Sequence, residues 1–168
     1  HFIFAEGYRA IENPYFKYLP FVLTKGEVLS IKNDEIRRDE ILNRKCFILP
    51  AQDDTFKLGS TFEWNTTDTS TSAEAREELL SQYNQLTTAL ATVVNQEAGI
   101  RPTVADRRPL MGVHPTIENL FIFNGMGTKG YMLAPYFAQE FYDYIATGKP
   151  LNAEVDIQRF YRKHFKQK

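Results

Sequence analysis

The sequence has few of the residues on which disulfide, metal or membrane chemistry depends. One cysteine, Cys46, occurs among 168 residues, which excludes a disulfide within the chain and favours a reducing, cytoplasmic location. Cys46 lies in an apolar run, which is typical of a buried structural thiol. The three histidines, His1, His114 and His164, have no metal-ligand spacing, so we predict no metal site, and His114 beside Pro115 is expected on the surface. No apolar run is long enough to span a membrane.

An excess of one charge and a nucleophile motif are also absent. The 20 basic and 21 acidic residues leave a formal net charge of −1, which gives no general attraction to nucleic acid or anionic membranes. There is no nucleophile elbow and no Ser-His-Asp order. The carboxylate pairs Asp53-Asp54 and Glu77-Glu78 fit a solvated turn and a solvated helix face. The sequence therefore identifies no catalytic residue. Separately, the basic tail predicts a solvated C-terminal helix whose Phe160 packs inward.

The first two thirds of the sequence alternate strand patterns with one helix pattern. Residues 45–50 and 55–63 are β-rich runs joined by a polar turn, and they predict a hairpin. Residues 2–5 predict a short buried strand. The spacing Thr71-x-x-Glu74 is a capping-box signature that predicts a helix from about Ser72. The apolar stripe expected to pack this helix against the sheet is Leu79, Tyr83, Leu86, Leu90 and Val93.

Residues 99–134 are the most informative stretch. They contain a short strand ending near Arg101, a turn-rich link, an apolar strand over residues 119–123, and a glycine loop over residues 125–130. A helix is predicted next, over residues 131–146. Glycines let a backbone approach a ligand closely, and the unpaired amides at a helix start present partial positive charge. This order of elements favours a cradle for a phosphate or an electron-rich ring.

The motifs in this stretch form an ordered series that continues over nearly the whole chain. They are Phe2-Ile3-Phe4-Ala5-Glu6-Gly7, residues 20–31, Gly99-Ile100-Arg101-Pro102-Thr103, Asp106, Pro109-Leu110-Met111-Gly112, Asn119-Leu120-Phe121-Ile122, residues 124–130 and Leu133-Ala134-Pro135. The series resembles the C-terminal signature of the flavin-dependent amine and amino-acid oxidases, the family of D-amino-acid oxidase, glycine oxidase and sarcosine oxidase. Members of that family open with a dinucleotide-binding βαβ unit. Because no such unit precedes His1, we expect the sequence to be the C-terminal part of a larger flavoprotein.

The resemblance implies an α+β fold within an α/β parent protein. We expect a mostly antiparallel substrate-domain sheet with a long helix, together with the C-terminal strands and helix of a Rossmann-like domain that binds FAD. Residues 1–12 and 99–148 would belong to the FAD-binding domain and residues 13–98 to the substrate-binding domain. Residues 149–168 would form the basic tail.

The resemblance also implies a set of site residues. Those expected to bind FAD without a covalent bond are Ala5, Gly7, Gly125, Met126, Gly127, Thr128, Lys129 and Gly130. Arg101 resembles an arginine that can pair with the substrate carboxylate in glycine oxidase, a task that suits its rigid guanidinium. The alternative for Arg101 is a structural ion pair with an acid such as Asp106. Lys129 departs from the commonest family residues, and its side chain could reach the flavin edge or the substrate, or point to solvent.

The implied function is oxidation of the C–N bond of a small amine or amino acid by hydride transfer to FAD. The missing N-terminal FAD-binding portion would complete the enzyme, so the chain alone is expected to be inactive and to bind FAD weakly or not at all. Two alternatives stay open. One is a binding or assembly module that retains the fold without the chemistry. The other is the oxidase half of a tRNA-modifying enzyme, against which the mild overall charge argues.

Overall fold

A computed structural model describes residues 1–165, except for the side chains of Arg162 and His164. Lys166 and Lys168 of the predicted basic tail lie outside the described residues. The strands are β1 (Phe2–Phe4), β2 (Thr24–Lys32), β3 (Leu42–Arg44), β4 (Cys46–Pro50), β5 (Phe56–Gly59), β6 (Glu63–Trp64), β7 (Thr92–Arg101), β8 (Leu110–Val113) and β9 (Leu120–Asn124). The α-helices are α1 (Ala73–Asn84), α2 (Gly130–Thr147) and α3 (Tyr161–His164), and short 3-10 helices cover Gly7–Ile11, Gly127–Lys129 and Ile157–Phe160.

The chain divides into two compact units. The central unit comprises residues 25–100, and the split unit comprises residues 1–24 and 101–168. The fold is a mixed α/β arrangement with a six-stranded sheet in one unit and a three-stranded sheet in the other.

The central unit is built on the six-stranded sheet. The strand order is β3-β4-β5-β2-β6, with β7 also paired to β2, and the pairs β3 with β4, β4 with β5, and β5 with β2 are antiparallel. The predicted hairpin is confirmed as β4 and β5. Apolar residues alternate along these strands, and one sheet face packs with α1 into a core that contains Leu29, Ile31, Cys46, Ile48, Phe56, Leu58, Leu79 and Tyr83. Cys46 is buried as predicted, and burial raises the pKa of its thiol.

Helix α1 begins where the sequence predicts, but it ends before the last residues of the predicted apolar stripe. Ser72 is the N-cap, and its Oγ accepts a hydrogen bond from the amide of Ala75 at 3.1 Å, so Ser72 rather than Thr71 does the capping. The helix ends at Asn84. The extension of the apolar stripe is wrong, because Leu90 is 87% exposed and Val93 lies in β7. A helical period relates residues to one face only while the helix continues.

The split unit contains a mixed sheet of the order β1-β9-β8. Strand β9 pairs in parallel with β1 and antiparallel with β8. The predicted strand over residues 119–123 is confirmed as β9, but β8 was expected to be part of a turn-rich link. The four residues of β8 are too few to show a period. Helix α2 is confirmed. It is capped at its C-terminus by Gly148, which has a φ of +74° and whose amide donates a hydrogen bond to the carbonyl oxygen of Tyr144.

Strand β1 departs from the expected burial. Phe2 is 74% exposed and Ile3 is 51% exposed, whereas a buried strand was predicted. In the described chain β1 pairs with β9 along one edge, so it is an edge strand of this sheet.

Arg159 joins the C-terminal segment to the loop before β8. Its Nε donates to Asp106 Oδ2 at 2.9 Å, and its terminal nitrogens donate to the carbonyl oxygens of Asp156 at 2.8 Å and Pro109 at 2.9 Å. The Arg159 side chain is 15% exposed, and the neighbouring Phe160 is partly buried against the apolar cluster of this unit, as the sequence predicts.

We expect Arg159→Ala to lower the free energy of unfolding of the split unit by about 2 to 3 kcal/mol, because the charge-assisted hydrogen bonds of Arg159 to Asp106 and to two carbonyl oxygens are lost. Urea denaturation followed by far-UV circular dichroism would measure the loss. Arg108→Ala is the matched control, since Arg108 pairs with Glu154 at 3.1 Å across an exposed surface and should cost less than about 1 kcal/mol. Equal losses in the two variants would contradict the assignment.

Candidate functional site

The carboxyl ends of β1 and β9 define the candidate site. Because the two strands are parallel, with Phe4 opposite Ile122, the turn after β1 and the loop after β9 leave the same edge of the sheet. Ligands of open α/β sheets bind at such carboxyl edges. The Nδ2 of Asn124 donates to the carbonyl oxygen of Gly7 at 2.9 Å, so the expected FAD-binding residues at both ends of the chain meet here.

The conformation of the glycine loop depends on its own packing. Gly125 has a φ of +75°, and a Cβ at this position would lie 2.7 Å from Val104 Cγ2 and 2.9 Å from Leu110 Cγ. Gly127 has a φ of +54°, and its Cβ would lie 3.3 Å from Thr103 Oγ1. Both positions therefore need glycine for reasons internal to the protein. Gly7 differs, because its φ is +61° but a Cβ there would meet no protein atom within 4 Å.

The start of α2 presents backbone amides without a side-chain cap. The 3-10 helix Gly127–Lys129 runs directly into α2, and neither N-cap residue, Met126 or Lys129, makes a side-chain capping bond. Neither first turn contains an acidic residue. The positive end of an 18-residue helix therefore lacks a neutralising carboxylate from its own first turn, which suits an electron-rich ligand. Thr128 and Lys129 are exposed.

Arg101 is linked to this loop by Thr103, which bonds to Arg101 and packs against Gly127. Arg101 is the last residue of β7 and is partly buried, and its carbonyl oxygen accepts a hydrogen bond from the amide of Thr103 at 2.9 Å. Thr103 is in turn the residue against which Gly127 packs. Burial lowers the pKa of the Arg101 guanidinium from its usual value, although an arginine stays protonated at neutral pH. A partly desolvated guanidinium is well suited to bind a carboxylate.

Asp106, the acid named as the alternative partner of Arg101, is bound by Arg159 at 2.9 Å. Asp106 thus pairs with Arg159, and the choice between a substrate role and a structural ion pair for Arg101 stays a prediction. The acid and Arg159 are 53 residues apart in the sequence, a separation at which sequence spacing predicts no contact.

These residues fit part of a flavin site. An open backbone at Gly7 and an uncapped helix start at residues 127–130 are what an electron-rich planar group needs for close approach. The described residues contain no βαβ unit with a glycine-rich phosphate turn. The side chain of Lys129 is exposed, and its role toward the cofactor or the substrate stays a prediction.

His114 was predicted on the surface, and this prediction is wrong. It is 7% exposed, and its ring packs edge-on against aromatic rings of Tyr15, Phe16, Tyr18 and Phe165. Burial lowers the pKa of His114, an effect that a hydrogen bond to the backbone of Tyr15 partly offsets. A proline neighbour shows that the backbone turns, but it does not show which way the histidine ring points.

A buried ion pair in the central unit was also missed. Lys25 and Glu27 are 5% and 2% exposed, and their Nζ and Oε1 atoms are 3.3 Å apart. The Glu27 carboxylate accepts hydrogen bonds from the Ser72 amide at 3.1 Å and from Gln96 Nε2 at 2.7 Å. The only sequence signal was two oppositely charged residues at alternate positions of β2.

No metal centre is found in the part of the chain that the structure describes. No group of three or more His, Cys, Asp or Glu side chains among those residues could hold a metal ion.

The chain belongs to the DAO family of FAD-dependent oxidoreductases, whose profile matches residues 2–144. Among individual relatives, it is 30% identical over 136 residues to a glycine oxidase of Pseudomonas putida, which covers 79% of this chain and 37% of the relative.

Two solved structures illustrate the similarity of the fold. Glycine oxidase from Geobacillus kaustophilus matches with a TM-score of 0.76 and 25% identity, over 94% of this chain and 44% of that one. L-Proline dehydrogenase from P. horikoshii matches with a TM-score of 0.82 over 98% of this chain and 48% of that one, but at 18% identity it shows the fold alone. The chain thus spans less than half the length of these proteins.

Proposed function

We propose that this chain forms the C-terminal part of a flavoenzyme that oxidises the C–N bond of a small amine or amino acid. The observation that carries the proposal is the convergence of the Gly7 turn, the residue 125–130 loop and the Arg101 segment at one edge of a sheet, in a chain of the DAO family. The glycine oxidases among its relatives support an amino acid as the substrate. When bound, FAD would accept a hydride equivalent from the substrate carbon.

The chain's own residues would supply position and charge. Backbone amides at the start of α2 would face the electron-rich part of the isoalloxazine ring, where their partial positive charge stabilises added negative charge. The residues proposed to line the non-covalently bound FAD are Ala5, Gly7, Gly125, Met126, Gly127, Thr128, Lys129 and Gly130. Arg101 would hold the substrate carboxylate, with Lys129 as a second cation for the substrate or the flavin edge.

The two units would divide the work between them. We assign residues 1–12 and 99–148, nearly all of which lie in the split unit, to the FAD-binding domain. Residues 13–98, most of which lie in the central unit, are assigned to the substrate-binding domain. A further FAD-binding portion would supply the adenosine and pyrophosphate contacts, and the exposed apolar edge at Phe2 and Ile3 suits pairing with such a portion. The isolated chain is therefore expected to bind FAD weakly or not at all.

The test is a visible absorption spectrum of the full-length protein, followed by a screen of small amines and amino acids for anaerobic bleaching of the flavin absorbance. We expect a bound flavin spectrum and bleaching by at least one amino acid. A full-length protein that is purified without flavin, and does not take it up when FAD is added, would refute the proposal. Nanomolar FAD binding by the isolated 168-residue chain would refute the division of the site between two portions.

Arg101 provides a sharper test of the substrate class. In the full-length protein we expect Arg101→Gln to raise the KM for an amino-acid substrate by about 10- to 100-fold, since a charge-assisted bidentate contact of about 1.5 to 3 kcal/mol is lost. Arg101→Lys should recover only part of the affinity, because an ammonium cannot form the paired contact. Arg107→Gln is the matched control, as Arg107 is an exposed arginine of the following loop. An unchanged KM in Arg101→Gln would remove Arg101 from the site.

A further inference from the structure

We propose that Asn124 is a positioning residue that fixes the relative position of the two candidate cofactor-binding segments, the Gly7 turn and the residue 125–130 loop. This inference rests on the proposed function, because it concerns the loops assigned there to FAD. It adds a residue that has no assigned role, and it specifies how that residue acts.

Both ends of the Asn124 carboxamide are used. Nδ2 donates to the carbonyl oxygen of Gly7 at 2.9 Å, and Oδ1 accepts from the amide of Gly125 at 2.8 Å. Asn124 is 5% exposed, so water cannot easily replace either bond, and a buried polar group that loses its partner carries a full desolvation cost. Only a side chain with both a donor and an acceptor can join these two backbone groups. Aspartate would keep the acceptor and lose the donor.

The two bonds act where the chain leaves the paired parts of β1 and β9. Gly125 is held on its other side by Val104 and Leu110, against which a Cβ would clash, so packing and the Asn124 bond together set the direction in which the loop leaves β9. At Gly7, by contrast, nothing lies within 4 Å of the Cβ position. The hydrogen bond from Asn124 therefore ties the Gly7 turn to the residue 125–130 loop just beyond the last paired residues of β1 and β9, Phe4 and Ile122.

Hydrogen exchange of the isolated chain, without cofactor, tests the positioning role directly. Two variants are compared with the wild-type chain, Asn124→Ala and Asn124→Asp. The control is Ile122→Val, a change of one methylene at a fully buried position of the same strand, which lowers stability by about 0.5 to 1.5 kcal/mol without touching either bond.

In Asn124→Ala we expect exchange of the amides of residues 125–130 and of residues 7–9 to accelerate about tenfold relative to the control, the size expected for one net hydrogen bond. Amides of β8 should change to the same extent in both variants, since they report the stability of the unit as a whole. Asn124→Asp should accelerate exchange near Gly7 more than at Gly125. Uniform acceleration across the split unit in Asn124→Ala would overturn the proposal.

FAD binding by the full-length protein separates this inference from the proposed function. We expect Asn124→Ala to weaken FAD binding about tenfold more than Ile122→Val does. If the wild-type protein binds FAD and both variants bind it equally, the positioning role is overturned while the proposed function stands. If the wild-type protein binds no FAD, the proposed function fails, and the exchange pattern still decides whether Asn124 ties the two loops.

Discussion

Glu27→Ala is expected to lower the free energy of unfolding of the central unit by about 3 to 5 kcal/mol, the usual cost of breaking a buried ion pair. The variant leaves the ammonium of Lys25, which is 5% exposed, with Glu63 as its remaining carboxylate at 3.5 Å. It also removes the acceptor for the Ser72 amide and for Gln96 Nε2. Because Ser72 is the N-cap of α1, the loss extends to the start of that helix.

Trp64 provides the measurement. It is the single tryptophan of the sequence and lies in β6, next to Glu63, so urea denaturation followed by its fluorescence reports on the central unit. Glu97→Ala is the matched control, because Glu97 pairs with Lys57 at a site where the two side chains are 57% and 35% exposed, and it should cost less than about 1 kcal/mol. A Glu27→Ala loss as small as that of the control would show that the buried network contributes little.

The same network predicts how stability depends on pH. Burial alone would raise the pKa of Glu27, but hydrogen bonds from Ser72, Gln96 and Lys25 outweigh it and hold the pKa below its usual value. A lowered folded-state pKa contributes stability that is present above the unfolded-state value of about 4.3 and is lost as the pH falls through the folded-state value. We expect the central unit to lose stability in acid below about pH 4.3, and the loss to be smaller in Glu27→Gln. Identical acid profiles would contradict this role.

Gly125→Ala is expected to lower the free energy of unfolding of the split unit by about 2 to 4 kcal/mol. Two costs add. Alanine is strained at the φ of +75° that Gly125 adopts, and its Cβ would lie only 2.7 to 3.1 Å from atoms of Val104 and Leu110. One of those contacts is with the backbone nitrogen of Leu110, which cannot move aside as a side chain can. Urea denaturation followed by far-UV circular dichroism would measure the loss.

Gly7→Ala separates the two costs. Gly7 has a φ of +61°, but a Cβ there meets no atom within 4 Å, so only the backbone cost of about 1 to 2 kcal/mol applies. In the full-length protein Gly7→Ala should weaken FAD binding out of proportion to its effect on stability, because a ligand proposed to approach this backbone would meet the new methyl group. Equal stability losses in Gly125→Ala and Gly7→Ala would show that the packing around Gly125 relaxes.

Local patterns predicted the elements that depend on neighbours in the sequence. The β4–β5 hairpin, the start of α1 near Ser72 and the glycine-ended helix α2 all rest on periodicity, capping or turn residues within a few positions. Strand β8 was missed because four residues show no clear period. Within the proposed site, the residue 125–130 loop and Arg101 carry a sequence signature. The hydrogen bond of Asn124 to Gly7 joins positions 117 residues apart, so no local pattern indicates it.

The sequence by itself determined the family, the start of α1, helix α2 and the β4–β5 hairpin, because these depend on local conformational preference and on the order of motifs. Only the tertiary structure decided that His114 is buried, that Asp106 binds Arg159, and that Lys25 and Glu27 form an ion pair enclosed by Ser72 and Gln96. The physical reason is that burial and long-range pairing depend on which surfaces meet when the chain folds. A polar residue carries the same local signal whether it faces water or a partner inside the protein.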